Sequence, residues 1–157
     1  MMKILLAVWV LVGCSLPALA DRVVVRAGMV GGDHFGGMAG GVDYVREERG
    51  GRLVMVSLDQ SVDLRGIFDW SGTQGGEVHV LTLLAFSRSV AGRSMLLGGG
   101  LASVGRLRLL GEESEVVQPL VRLCFTTSPR GLLVAQAQVT AVAGAGTYAG
   151  LFLGVGF

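Results

Sequence analysis

The sequence predicts an all-β chain: an eight-stranded antiparallel up-and-down transmembrane β-barrel that follows a cleaved signal peptide. Three observations predict it. The last eleven residues, Thr147-Tyr-Ala-Gly-Leu-Phe-Leu-Gly-Val-Gly-Phe157, put Ala149, Leu151, Leu153, Val155 and Phe157 on one face and mostly small residues on the other, the period of two that marks a strand. Upstream, further short segments approach the roughly nine to eleven residues that a tilted strand needs to cross hydrocarbon. In several of them the charged and amide side chains share one alternation and the apolar ones the other.

Taken in order, the chain starts with a short basic stretch, Met1-Met-Lys3, an apolar run from Ile4 to Gly13, and the small-x-small pattern Ala18-Leu-Ala20 before Asp21. That is the layout of a removed secretory signal, because a run of this length falls well short of the roughly 20 residues of a spanning helix. The expected division is a signal peptide over 1–20 and a barrel over 21–157. Leu11-Val-Gly-Cys14 also looks like a lipobox, which leaves open whether Cys14 is lipidated or lost with the signal. The remaining cysteine, Cys124, excludes an intramolecular disulfide. Lys3 is the one lysine, so its removal leaves twelve arginines against twelve acidic residues. No basic patch points to nucleic acid. With two histidines and no CxxC or HExxH, neither a metal site nor a cofactor is expected.

Eight strand-like segments follow, at roughly 22–30, 38–46, 52–59, 77–87, 93–104, 117–126, 132–142 and 147–157. The connections after the second, fourth and sixth are short and turn-like, Glu47-Glu-Arg-Gly-Gly51, Arg88-Ser-Val-Ala-Gly92 and Thr127-Ser-Pro-Arg-Gly131. Those after the first, third, fifth and seventh are Gly31–Gly37, Gln60–Gly76, Gly105–Val116 and the short Ala143–Gly146. Turns on one side and longer loops on the other suit a barrel with both termini in the periplasm, and an even strand number leaves no free edge.

The faces assign inside and outside. Val23, Val25, Ala27 and Met29 oppose Arg22 and Arg26, Val42 and Tyr44 oppose Asp43, and Val121, Leu123 and Phe125 oppose Arg122. Leu133, Ala135, Ala137 and Val139 likewise oppose Gln136 and Gln138. A charge facing lipid near the midplane costs about 2–4 kcal/mol, so Arg26, Asp43, Arg122, Gln136 and Gln138 are expected inside. An eight-stranded barrel is just wide enough for side chains to fill. These residues therefore form a polar plug, with Arg26–Asp43 the expected pair and Asp59 joining at one end.

Signal, eight short strands, the glycine-rich Gly98-Gly-Gly-Leu-Ala-Ser-Val-Gly105 and the terminal Phe157 together resemble the small eight-stranded bacterial outer-membrane β-barrel superfamily of OmpA/OmpX type. The resemblance implies residence in the bacterial outer membrane, contact with its lipid and lipopolysaccharide, and a monomer. It also implies that Leu151, Leu153, Val155 and Phe157 form the signal read by the barrel-insertion machinery. Members of the superfamily serve as anchors, adhesins, envelope-protection proteins or lipid A-modifying enzymes, and fold does not choose among these. A structural or surface-interaction role through the extracellular loops is the expectation.

The alternative is a lipid A-modifying hydrolase of the deacylase kind. Such enzymes carry a His-x-Ser pair on one strand, and neither His34-Phe-Gly nor His79-Val-Leu fits. The nearest substitute is Glu77 and His79 with Ser103 as a hydrolase-like triad, the bland reading being an ordinary polar rim. In the loops, Phe68 and Trp70 mark an apolar cluster of the kind that meets partners or lipid. Arg65, Arg106 and Arg108 suit lipopolysaccharide phosphates. Two rival folds compete with the barrel: a transmembrane helix over Gly131–Phe157, and a soluble lipocalin-like barrel, which needs an apolar interior and a polar exterior.

Overall fold

The computed structural model describes residues 21–32, 36–63, 77–91, 94–108, 114–127 and 131–157. Alternation turns into eight strands: β1 (Arg22–Gly32), β2 (Gly36–Glu47), β3 (Leu53–Asp63), β4 (Glu77–Ala91), β5 (Met95–Arg108), β6 (Ser114–Thr126), β7 (Leu133–Val142) and β8 (Gly146–Gly156). Each pairs antiparallel with its sequence neighbours, and β8 closes on β1. The segment 131–157, the candidate helix, is the β7–β8 hairpin. Where the β2–β3 and β7–β8 chains reverse, Gly50, Gly51, Gly144 and Gly146 take positive φ, a conformation side chains resist.

The stagger of the wall follows from the register. Pairings traced from Arg22 through Val45, Met55, Ser87, Gly98, Arg122, Thr140 and Tyr148 return to β1 at Gly32, ten residues above the start. Ten residues at about 3.3 Å, round eight strands about 4.8 Å apart, tilt the strands by about 40°. A residue on β3 or β6 is thereby lifted relative to its row-mate on β1, which decides which side chains meet inside.

The outward alternation is a lipid face. Met29, Leu133, Leu151 and Leu153 are each at least 70 % exposed, and Val25, Phe86, Leu101, Val121 and Phe125 join them. Inside, Arg26, Asp43, Asp59 and Arg122 are buried. Charge inside and hydrocarbon outside is the inverse of a soluble barrel, and a closed wall satisfies every ladder hydrogen bond without water. The lipocalin-like rival fails on this pattern.

The strands outrun the expected segments mainly at the loop end. β5 continues to Arg108 and β6 begins at Ser114, so Arg106 and Arg108 lie on a strand and not in a loop. The reason is legible afterwards: Arg106-Leu-Arg-Leu109 is itself period two. β6 pairs with β5 as far as Arg106↔Ser114 but with β7 only from Leu120 to Thr126. The upper ends of β4, β5 and β6 therefore form an extension above the shorter β7–β8–β1 wall.

Candidate functional site

Inward-facing residues stack in three layers. At the turn end Val24, Val45, Leu53, Met55, Leu96, Cys124 and Val134 make an apolar plug, and a void bordering it measures about 10 Å³, room for one water at most. At the loop end Val30, Ala39, Leu81, Leu83, Ala85, Ala102, Leu120, Val142, Tyr148 and Phe152 make a second. Between them lies the charged layer. The interior expected to be a polar plug is thus a charged slab with apolar packing above and below.

Within the slab Arg26 Nε donates to Asp43 Oδ2 at 2.8 Å and Nη2 to Oδ1 at 3.1 Å. Arg26 Nη2 also donates to Asp59 Oδ1, and Arg122 Nη2 lies 2.7 Å from Asp59 Oδ2 as an ion pair angled away from hydrogen-bond geometry. Arg122 Nε donates to Thr140 Oγ1 at 3.2 Å, and Gln136 Nε2 to Asp43 Oδ2 at 2.7 Å. The Arg26 guanidinium sits 4.4 Å from the Phe152 ring centroid, a cation–π contact. Two cations and two anions cancel, so the slab holds four buried ions without net charge. Ser57 Oγ, Ser87 Oγ and Gln138 Oε1 have no protein partner among the described residues, a role ordered water fills in protein interiors.

Asp59 bridges both arginines at the centre of the slab, not at one end as the bare sequence suggested, because the stagger lifts β3 relative to β1. Glycine makes the room. Arg26 stands across the pairing from Gly41 and Gly154, and Arg122 across from Gly98. Arg26, Gly41 and Asp59 share one row, so the missing side chain at 41 opens the path between guanidinium and carboxylate. A long inward arginine two strands from an inward aspartate, with glycine between, is the signal that sequence reading passed over.

The other candidate residues fare differently. Ser103 pairs with Thr82, and His79 with Arg106. Ser103 is three residues beyond the level of His79 and on the opposite alternation, so Glu77, His79 and Ser103 do not share a face of the sheet and the hydrolase-like grouping fails on register. Glu77 pairs with Arg108, at the tip of the extension. Leu151, Leu153, Val155 and Phe157 all face outward. His34, Arg65, Phe68, Trp70, Cys14 and the signal segment lie outside the described residues. Among the described residues no cluster of three or more metal-ligating side chains occurs.

At the extension, burial stops alternating. Val116 and Val117 are successive residues of β6, yet they are 52 % and 49 % exposed. Between Leu120 and Thr126 of the same strand, exposed or half-buried residues alternate with buried ones, so both faces of the sheet are open here. Among the described residues β6 has no strand partner on its β7 side above Leu120 apart from Ala143 N donating to Pro119 O at 3.0 Å.

No family model matches the chain, and no curated protein matches it by sequence. Among solved structures it is similar to Ail, the attachment invasion locus protein of Yersinia pestis, at 15 % identity and a TM-score of 0.47, covering 87 % of this chain and 96 % of that one. The same protein in complex with the heparin analogue sucrose octasulfate aligns at 14 % identity and a TM-score of 0.46 over the same shares. The assignment of the architecture rests on this chain's own pairings. A closed eight-stranded wall with an apolar belt and a charge-balanced interior is the architecture of a membrane-spanning barrel.

Proposed function

We propose that this outer-membrane barrel works at its extracellular end, as a surface-interaction protein in adhesion or envelope integrity, and that its interior conducts nothing. The observation that carries the reading is the β4–β5–β6 extension, with the β6 edge of residues 114–118 and the half-exposed Val116 and Val117. An edge strand presents a row of N–H and C=O groups that an extended segment of a partner can extend. The apolar layers on both sides of the slab argue against solute passage. Arg65, Arg106 and Arg108 are the proposed contacts for lipopolysaccharide phosphates, a task to which the guanidinium fork is suited.

The test is adherence. Cells displaying the chain should bind epithelial monolayers, and Val116→Lys with Val117→Lys should lower adherence about tenfold, a change worth about 1.4 kcal/mol, because lysine on an edge blocks strand addition. The heat-dependent gel mobility of a closed barrel should persist. Adherence no higher than that of cells lacking the chain, or indifferent to both lysines, overturns the reading.

The proposal extends to assembly, with Leu151, Leu153, Val155 and Phe157 as the ridge that the insertion machinery reads. The Phe157 backbone accepts from Val23 N at 3.2 Å and donates to Val23 O at 2.8 Å, bonds that a side-chain change leaves in place, while its ring is 78 % exposed. Phe157→Ser should therefore cost only about 1 kcal/mol in refolding into vesicles, yet lower the amount assembled in cells several-fold. Equal losses in both assays would mean that the ring acts through stability.

A further inference from the structure

Among the described side chains on the outward alternation of the wall, two are charged, and both are arginines in one row. Arg46 on β2 pairs with Val54 on β3, which pairs with Arg88 on β4. One step toward the membrane interior the next outward row repeats the shape: Tyr44 pairs with Val56, and Val56 with Phe86. Two columns of large side chains, Arg46–Tyr44 and Arg88–Phe86, thus flank a floor of two valines. The columns stand two strand spacings apart, about 9.6 Å, so the trough is one strand wide, cationic at its turn end and apolar above.

A charge on the lipid face is tolerated near the interface and costly at depth. Arg46 lies beside the β2–β3 turn and both arginines are exposed, so their heads reach the head-group level on the side of the short turns, the inner leaflet. The neighbouring charges are Glu48, whose Oε2 is 2.5 Å from Arg88 Nη2, Glu47, Asp21, which accepts from Glu47 N, and the exposed turn arginines Arg49 and Arg52. The Arg88–Glu48 pair is itself exposed, of the kind that contributes little, and exchanges readily for a phosphate, a stronger guanidinium partner.

We propose that this trough holds an anionic glycerophospholipid of the inner leaflet, its phosphate between Arg46 and Arg88. One acyl chain runs along Val54 and Val56 between Tyr44 and Phe86. The charge matches the head group, the apolar floor matches the chain, and the row of valine between two arginines fixes the place.

The experiment is native mass spectrometry of the full chain released by detergent from vesicles of phosphatidylcholine mixed with phosphatidylglycerol. The wild-type barrel should retain phosphatidylglycerol in preference to phosphatidylcholine. Arg46→Gln with Arg88→Gln should lower that retention at least about tenfold, whereas Arg49→Gln with Arg52→Gln, an equal loss of charge in the turn, should keep it. Arg46→Lys with Arg88→Lys, which holds the charge and loses the planar fork, should fall between and serves if the glutamine variant does not refold. Equal retention of both lipids by the wild type, or equal loss in the turn variant, overturns the proposal, the latter by reducing it to unspecific attraction.

Discussion

Asp59→Ala should cost the barrel about 3–5 kcal/mol, the range for removing one partner from a buried ion pair. Asp59 touches both arginines of the slab, so its loss leaves two guanidiniums facing the single carboxylate of Asp43. Apolar layers above and below limit the water that could take over. The measurement is the urea midpoint for folding into phosphatidylcholine vesicles, read from the mobility of unboiled samples. Restoring balance should restore stability: Asp59→Asn with Arg122→Gln leaves the Arg26–Asp43 pair intact and neutral, and should recover at least half of the loss. A cost below about 0.5 kcal/mol for Asp59→Ala, within the range of ordinary surface changes, would show that water reaches the slab freely and that the interior is not sealed.

The charge balance of that slab also bears on what the barrel can do. Four ions held in mutual contact, with Gln136 and Thr140 adding a hydrogen bond each, fill the centre of the barrel. Variation in function then has to come from the ends, where β4, β5 and β6 outgrow their neighbours.

Period two made the strands and their faces readable, because in a membrane barrel a wrong face carries a cost at nearly every position. The same signal placed Arg26, Asp43, Arg122, Gln136 and Gln138 indoors. It said nothing of height, because alternation contains no stagger, and the central position of Asp59 depends on the ten-residue offset accumulated round the wall. Register likewise decided Ser103, whose distance in sequence from His79 conceals that the two occupy opposite alternations. Arg46 and Arg88 are not legible as a pair for the same reason: forty-two positions apart in sequence, they share a row only through Val54. The ends of β5 and β6 are hard to read from sequence because arginine in Arg106-Leu-Arg108 has loop composition while its alternation is that of a strand.

Two adjacent glycines should respond oppositely to the same methyl group. At Gly40, on the lipid face, an added Cβ would have as its nearest neighbour the Arg26 carbonyl oxygen at 3.8 Å, ordinary contact. At Gly41, facing inward, it would run into Asp59 Oδ1 and stand 2.8 Å from the Leu58 carbonyl oxygen. Neither glycine has positive φ, so both backbones accept alanine, and Gly40→Ala should be neutral or stabilising by up to about 1 kcal/mol through the unfolded chain. Gly41→Ala must displace either a strand or the carboxylate. The carboxylate is the softer of the two, yet it is held between Arg26 and Arg122, so moving it lengthens both ion pairs. Overpacking alone costs about 1–3 kcal/mol, and with the disturbed pairs Gly41→Ala should lose about 2–4 kcal/mol in the same urea measurement. Because the two variants differ by one position and share one composition, a difference between them cannot come from β-propensity. Equal stability of the two would mean that Asp59 moves aside without cost, and that the Arg26–Asp59 contact contributes nothing to holding β1 against β3 across the gap at Gly41.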